Sequence, residues 1–218
     1  MTLSDSADAV ARDLLRIGAV TLRPADPFTW ASGRLAPIYT DNRLTLSHPD
    51  VRRRLCDAFA DAVGAMPAPP DVVAGTATAG IPHAAWLADR LGLPMAYVRS
   101  SAKAHGRGNQ IEGRVAPGQA VVLVEDLVST GGSVAQAGAA LREAGATVPV
   151  VLAIFSYGLD AGRQRLAADG YATTVLTDFA TLARVARADG ALSDADLATL
   201  DAWRADPSAW SLERGGAA

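Results

Sequence analysis

Hydrophobic and polar positions along this chain follow two different periods after residue 71. Short segments rich in branched apolar residues are typical of β-strands, and five occur here: DVVAG, MAYV, AVVLVED, VPVVLAIF and TTVLTD. Segments with apolar residues at helical spacing lie between them: GIPHAAWLADRLG, SVAQAGAALREAGA and AGRQRLAADG. Strands that alternate with helices predict an α/β fold, a central parallel sheet flanked by helices.

The run VVLV, residues 121–124, is apolar at every position, as expected of a strand that is covered on both faces. We therefore expect this strand to lie near the centre of the sheet and to end at two adjacent carboxylates, Glu125 and Asp126. Ligands of α/β sheets bind beyond the carboxyl ends of the strands, so this pair lies where a ligand is expected.

The rest of the chain predicts helices and short extended pieces on either side of this core. We expect a helix over residues 5–17, extended segments at FTW and PIYTDNR, and a helix over residues 49–63 that Ser47 caps and Asp50 stabilises. Residues after 179 predict one or two amphipathic helices, then a frayed ERGGAA end. The sequence thus predicts one domain with three parts: residues 1–66, 71–178 and 179–218.

Composition excludes some classes of function. A net charge of -3 and a pI near 5.6 argue against nucleic acid as a partner. No apolar run is long enough to span a membrane and the N-terminus lacks a signal-peptide pattern, so we expect a soluble cytoplasmic protein. The single cysteine, Cys56, lies in an apolar-periodic segment and predicts a buried helix residue.

The segment VVLVEDLVSTGGS carries the most chemistry. Ser129, Thr130, Gly131, Gly132 and Ser133 follow the acid pair and open a helix, whose first N–H groups favour an anion. The carboxylates can accept hydrogen bonds from hydroxyl groups, and the loop beside them can bind one phosphate. This combination predicts a site for a phosphorylated sugar. The spacing fits neither a Walker loop nor a dinucleotide fingerprint. The alternative is a strand-end turn with incidental acids.

A second loop of small residues, GTATAG at residues 75–80, also joins a strand to a helix. Its backbone amides could reach an anion such as pyrophosphate, but a purely structural turn is an equal alternative.

A long polar connection, residues 99–114, contains the only lysine of the chain, Lys103. Long loops of this kind are often active-site lids. A solvated charged loop explains His105 and Arg107 equally well. Because every other basic residue is arginine, we hypothesise that Lys103 supplies a compact point charge to a departing anionic group.

These segments, together with FTWASGRLAPIYTDNRLTLSHP near the N-terminus, resemble the type I phosphoribosyltransferases, and in particular their orotate-specific members. The resemblance covers most of residues 1–190. It implies the type I phosphoribosyltransferase fold, with a small N-terminal hood and a flexible active-site lid. The implied reaction joins orotate to the ribose 5-phosphate of phosphoribosyl pyrophosphate and releases pyrophosphate.

The resemblance also implies roles for individual residues. Glu125 and Asp126 bind the ribose hydroxyls, and Arg99, Lys103 and His105 contact the pyrophosphate and are the candidate catalytic residues. Orotate contacts Ser129 and the SGRLAP turn, residues 32–37. The 5-phosphate is held by Leu127, Val128, Ser129, Thr130, Gly131, Gly132 and Ser133.

The implied cofactor is Mg²⁺, held mainly through phosphoribosyl pyrophosphate and water rather than by an all-protein site. The implied assembly is a homodimer in which each lid reaches the neighbouring active site. Two lysines that some family members carry are absent, since Ala79 and Ala31 take their places. Two alternatives stay open: a purine phosphoribosyltransferase, and a non-catalytic regulator that binds nucleic acid.

Overall fold

The computed structural model describes residues 3–101 and 110–217. The helices are α1 (Leu3–Arg16), α2 (Pro49–Gly64), α3 (Gly80–Leu91), α4 (Gly132–Glu143), α5 (Asp160–Ala168), α6 (Phe179–Ala188), α7 (Asp194–Ala205) and α8 (Pro207–Glu213). The strands are β1 (Val20–Leu22), β2 (Phe28–Thr29), β3 (Leu35–Ala36), β4 (Ile38–Thr40), β5 (Val72–Thr76), β6 (Met95–Val98), β7 (Ile111–Glu112), β8 (Ala120–Val128), β9 (Thr147–Ser156) and β10 (Thr173–Asp178). A 3₁₀ helix, Asn42–Ser47, precedes α2.

The main sheet has six strands in the order β10-β9-β8-β5-β6-β7. This order confirms the α/β fold and the central position of β8. The sheet is parallel except at one edge, where β7 runs antiparallel to β6. The backbone N–H of Arg99 bonds the Gln110 carbonyl at 2.9 Å, so the chain leaves the sheet after β6 and returns beside it in the opposite direction.

Helices cover both faces of the sheet, and β8 shows how its residues divide between them. Val122 and Val124 belong to the core formed with α1, α2, α3 and α6, whereas Val121 and Leu123 belong to the core formed with α4 and α5. All four side chains are fully buried. The unbroken VVLV run is therefore explained by burial on alternate faces.

The N-terminal part begins with α1 and ends with α2, and an ion pair joins these two helices. Arg54 of α2 binds the buried carboxylate of Asp13 in bidentate fashion, with both N···O distances 2.7 Å. Ser47 does not cap α2, contrary to prediction. Ser47 ends the 3₁₀ helix, His48 is the N-cap residue, and Pro49 occupies the first turn, where no N–H donor is needed.

The C-terminal part contains three helices rather than one or two. Ser193 and Asp196 form a capping box at the start of α7, and Asp206 caps α8, so each helix begins at its own cap. Trp203 of α7 is buried and packs edge-on against Trp30 and Tyr157, with centroid distances of 6.1 and 5.7 Å. Strands β2 and β3 form an antiparallel hairpin, residues 28–36, which we call the N-terminal hairpin, and the Trp30 contact joins α7 to it.

The tail up to residue 217 is held by contacts with the N-terminal hairpin, so the prediction of a frayed ERGGAA end is wrong for its described residues. The Ala217 N–H bonds the Gly33 carbonyl at 2.9 Å. Ser211, fully buried, accepts from the Leu35 N–H at 2.9 Å and donates to the Ala217 carbonyl at 2.5 Å.

Two further expectations concern the surface. Within the described ranges, no helix combines the length and apolar character that a membrane crossing requires. Cys56 lies on α2 but is only partly buried, and burial raises the pKa of its thiol. Cys56 lies beside Asp89 and Arg90 of α3, whereas Val51, Leu55 and Phe59 are the α2 residues that are buried in the core.

Candidate functional site

The acid pair lies inside strand β8 rather than at its end. Leu127 and Val128 continue the strand and pair with Phe155 and Ser156 of β9, which corrects the prediction that the strand stops at Asp126. The connection to α4 is therefore short, residues 129–131, and α4 begins at Gly132. We call residues 129–133 the 129–133 loop.

The 129–133 loop presents the N-terminus of α4. Gly131, the N-cap residue, has φ +73°, a backbone conformation that favours glycine. No side chain of the described residues caps this helix. The first N–H groups of a helix have no partner within it and carry partial positive charge, so this end of α4 can receive an anion.

Glu125 and Asp126 form a close carboxylate pair beside that helix end. Glu125 is only 5% exposed, and one of its oxygens accepts from the Asp126 N–H at 2.9 Å. Burial, together with the neighbouring Asp126 carboxylate, raises the pKa of Glu125 well above its ordinary range. Burial raises the pKa of Asp126 too. Hydroxyl donors or a cation in the cavity would stabilise the ionised forms of both.

The 75–80 loop lies against the same cavity, because Ala77, Thr78 and Ala79 line it together with the acid pair. Gly80 explains why the two loops come so close. A Cβ at Gly80 would lie 2.4 Å from the carbonyl oxygen of Val124 and 2.6 Å from the Thr76 hydroxyl, so only glycine fits there. The 75–80 loop and the 129–133 loop therefore share one cavity.

A further wall of the cavity comes from residues 40–43, which we did not predict as site residues. Arg43 donates to both oxygens of Asp41, with N···O distances of 2.6 and 2.8 Å. The Asn42 side-chain amide donates to the Asp126 carbonyl at 2.7 Å, which fixes this segment to the acid pair. Three polar residues in a row directly after the short PIYT segment were the sequence feature that could have indicated them.

Two buried side chains hold the 3₁₀ helix that carries this wall. The Thr45 hydroxyl lies 3.3 Å from Nε2 of His83, a residue of α3, and His83 packs edge-on against Trp86. Burial lowers the pKa of His83 to about 4. His83 is therefore neutral near pH 7 and acts as a packing residue that links α3 to the wall.

The cavity has a volume of about 520 Å³. Its walls are formed by Thr40, Asp41, Asn42, Arg43, Ala77, Thr78, Ala79, Glu125, Asp126, Leu127, Ser129, Thr130, Gly131, Gly132, Ser133 and Val134.

Other predicted site residues lie apart from this cavity or outside the described structure. Arg99 lies where the chain leaves β6 and pairs with Glu112 at 3.7 Å, and it does not line the cavity. The SGRLAP turn, residues 32–37, does not line it either. Lys103 and His105 fall outside the described residues. Over residues 3–101 and 110–217, no cluster of three or more His, Cys, Asp or Glu side chains could hold a metal ion.

This arrangement suits one class of small molecule. The acid pair can accept hydrogen bonds from neighbouring hydroxyls, and the N-terminus of α4 can bind a phosphate next to them. Both groups belong to one compact molecule in a phosphorylated sugar. The cavity therefore has the chemistry that a sugar phosphate requires.

Comparisons with known proteins identify the relatives of the chain. The sequence profile of the phosphoribosyl transferase domain matches residues 46–186. The orotate phosphoribosyltransferase of Bacillus caldolyticus is 54% identical over 201 residues, which are 92% of this chain and 97% of that protein. The orotate phosphoribosyltransferase structure from Aeropyrum pernix superposes with a TM-score of 0.71 at 34% identity, over 84% of this chain and 99% of that one. The UMP synthase of Leishmania donovani gives a TM-score of 0.76 at 26% identity, over 91% of this chain and 42% of that one.

Proposed function

The chain belongs to the orotate phosphoribosyltransferases of the phosphoribosyl transferase family, and from this premise we propose that it transfers ribose 5-phosphate from phosphoribosyl pyrophosphate to orotate. The products are orotidine 5′-monophosphate and pyrophosphate. The bond between the anomeric carbon and pyrophosphate breaks, and a bond to a ring nitrogen of orotate forms. This is a step of pyrimidine nucleotide synthesis.

One observation supports this proposal above the others: a carboxylate pair and an uncapped helix N-terminus share one cavity. In our assignment, Glu125 and Asp126 accept hydrogen bonds from the ribose hydroxyls. The 129–133 loop binds the 5-phosphate through backbone N–H groups and its hydroxyls. Holding both ends of the sugar would orient the anomeric carbon for attack.

The base and the leaving group occupy the remaining sides of the site in this proposal. Ser129 and the SGRLAP turn are the candidate orotate contacts from sequence, and residues 40–43 add a polar wall with the cation Arg43. Arg99, Lys103 and His105 are assigned to the pyrophosphate. Negative charge grows on that group as the bond breaks, so cations aimed at it lower the barrier.

Mg²⁺ fits these residues as the implied cofactor. The Asp126 and Glu125 carboxylates on the cavity wall are the oxygen ligands that this hard cation prefers, directly or through water. When bound, Mg²⁺ would neutralise part of the pyrophosphate charge. We assign most of its coordination to phosphate oxygens and water.

The proposal includes closure of the lid and a shared site. We propose that residues 99–114 close over the bound substrates and exclude water, which would otherwise capture the cationic sugar carbon. We further propose a cytoplasmic homodimer in which the lid of each subunit serves the other. A purine phosphoribosyltransferase is the remaining rival, and the 54% identity with an orotate phosphoribosyltransferase disfavours it.

The test is loss of orotate absorbance with phosphoribosyl pyrophosphate and Mg²⁺, for the wild type, Lys103→Ala and the same-loop control Arg107→Ala. We expect wild-type turnover, a fall in kcat of about 100-fold or more for Lys103→Ala, and little change for Arg107→Ala. A wild type that consumes adenine or hypoxanthine instead of orotate would establish the rival. Equal activity of Lys103→Ala and the wild type would remove Lys103 from the mechanism.

A further inference from the structure

Helix α5 packs directly against the outer side of the 129–133 loop. A Cβ at Gly162 of α5 would lie 2.3 Å from the Ser129 carbonyl oxygen, so a side chain there would displace the loop. Leu166, one turn later, lies 3.1 Å from the position that a Cβ would take at Gly131. The loop is therefore fixed from behind by one face of α5.

Arg165 extends from that helix to the start of α4. Its Nη1 atom lies 3.2 Å from the position of a Cβ built on Gly132, the first residue of α4. Gly132 also lines the cavity that contains the acid pair. A guanidinium group is thus held beside the helix end to which we assign the 5-phosphate.

The placement of Arg165 differs from that of its neighbours on α5. Arg163 forms an ion pair with Asp160 of the same helix. Arg165 has Asp169 four residues later, a spacing at which ion pairs form on helices, yet within the described ranges its side chain makes no ion pair or hydrogen bond. Its guanidinium lies beside Gly132 instead, at the first residue of α4 and just outside the set of residues that line the cavity.

We propose that Arg165 is a binding residue for the 5-phosphate of phosphoribosyl pyrophosphate; this inference rests on the proposed function. The 129–133 loop itself contains no cationic side chain and offers only N–H dipoles and hydroxyls. A phosphate monoester carries nearly two negative charges at neutral pH, and the planar guanidinium donates to two phosphate oxygens at once. Arg165 supplies the positive charge that the loop lacks.

The experiment measures binding of two partial ligands by isothermal titration: ribose 5-phosphate, and pyrophosphate with Mg²⁺. The proteins are the wild type, Arg165→Gln and the matched control Arg163→Gln, which removes the same charge two residues away. We expect Arg165→Gln to weaken ribose 5-phosphate about tenfold and to leave pyrophosphate unchanged. Arg163→Gln should change neither affinity, and Arg165→Lys should restore part of the loss.

Three other results would each overturn the inference. Equal ribose 5-phosphate affinity in Arg165→Gln and the wild type excludes a contact with the phosphate. If Arg163→Gln weakens ribose 5-phosphate binding as much as Arg165→Gln does, the effect comes from the net charge of the protein. If Arg165→Gln weakens the binding of both ligands at an unchanged melting temperature, Arg165 does not act specifically on the 5-phosphate. A wild type that binds ribose 5-phosphate but fails to consume orotate would contradict the proposed function while leaving Arg165 testable in the same titration.

Discussion

At the scale of single residues, Glu125 is the side chain whose chemistry depends most on the fold around it. It is nearly inaccessible, it lies beside a second carboxylate, and its pKa is raised by burial first and by Asp126 second. Its proton is therefore bound more tightly in the folded chain than in the unfolded chain. Folding stability must depend on pH through this residue.

The sign follows from that difference. Because the pKa of Glu125 is higher in the folded state, the folded state binds more protons than the unfolded state once the pH exceeds the ordinary Glu pKa of about 4.5. The free energy of unfolding therefore falls as the pH rises from about 4.5 through the raised folded pKa. Glu125→Gln removes this loss, because the amide stays neutral. We expect the variant to gain stability relative to wild type with rising pH, by about 1.4 kcal/mol for each unit of pKa difference.

Urea unfolding of the apoprotein at several pH values between 5 and 9 tests this expectation. The exposed Glu143→Gln on α4 is the control, and its difference from wild type should stay nearly constant with pH. A Glu125→Gln difference that stays as flat as the control would show that Glu125 is ionised equally in both states.

At the scale of elements, the tail after α8 is a fixed part of the N-terminal hairpin. Ser211 bonds both the Leu35 N–H and the Ala217 carbonyl, and Gly216 lies so close that a Cβ there would be 2.8 Å from Leu35 Cγ. Leu35 opens β3, and β4 and the cavity wall follow it along the chain. The tail thus supports the segment that leads into the site.

Ser211→Ala should lower the free energy of unfolding by about 1 to 3 kcal/mol, because it removes the two hydrogen bonds that the buried Ser211 hydroxyl makes with the Leu35 N–H and the Ala217 carbonyl. The measurement is urea unfolding beside Ser208→Ala, a change on the same helix at a hydroxyl with no hydrogen bond within the described part of the chain. We expect the control to differ little from the wild type. A Ser211→Ala protein as stable as Ser208→Ala would mean that the tail contributes nothing to the fold.

The elements that the sequence predicted well are those that carry their own pattern. MAYV and TTVLTD match β6 and β10 residue for residue, and the helix centres are correct. Strand β2 lies within the predicted extended segment FTW, whereas the short strands β1, β3 and β7 were not predicted, because they are defined by pairing with another segment rather than by composition. The C-terminal tail escaped for the same reason, since its partners lie about 180 residues earlier in the chain.

At the scale of the whole molecule, the cavity is lined by three distant parts of the chain, drawn from residues 40–43, 77–79 and 125–134. The acid pair and the 129–133 loop could be predicted, since a strand, carboxylates, glycines and a helix follow one another in sequence. Residues 40–43 could not, because only the packing of the 3₁₀ helix brings them to the acid pair. The same holds for Arg165, which α5 places beside Gly132 and which we propose as a phosphate contact. The lid, with Lys103 and His105, joins this site only in our proposal of a shared active site.

Subunit complementation decides whether the lid acts on its own subunit or on the neighbour. Lys103→Ala keeps the acid pair intact, and Asp126→Asn keeps the lid intact, so each protein alone should lose nearly all turnover. If the lid serves the partner subunit, a mixed dimer contains one site with both changes and one site with neither. Equal coexpression should then restore about a quarter of wild-type activity, because half of the dimers are mixed and each has one working site.

The control pairs Lys103→Ala with the double variant Lys103→Ala/Asp126→Asn, in which every dimer lacks the lid lysine and no activity should return. A lid that closes over its own subunit predicts no recovery in the test mixture either, since each chain then carries one defect into its own site. Recovery in the test mixture alone therefore requires both a dimer and a lid that crosses between subunits. Absence of recovery, with mixed dimers demonstrated by two affinity tags, contradicts the shared site.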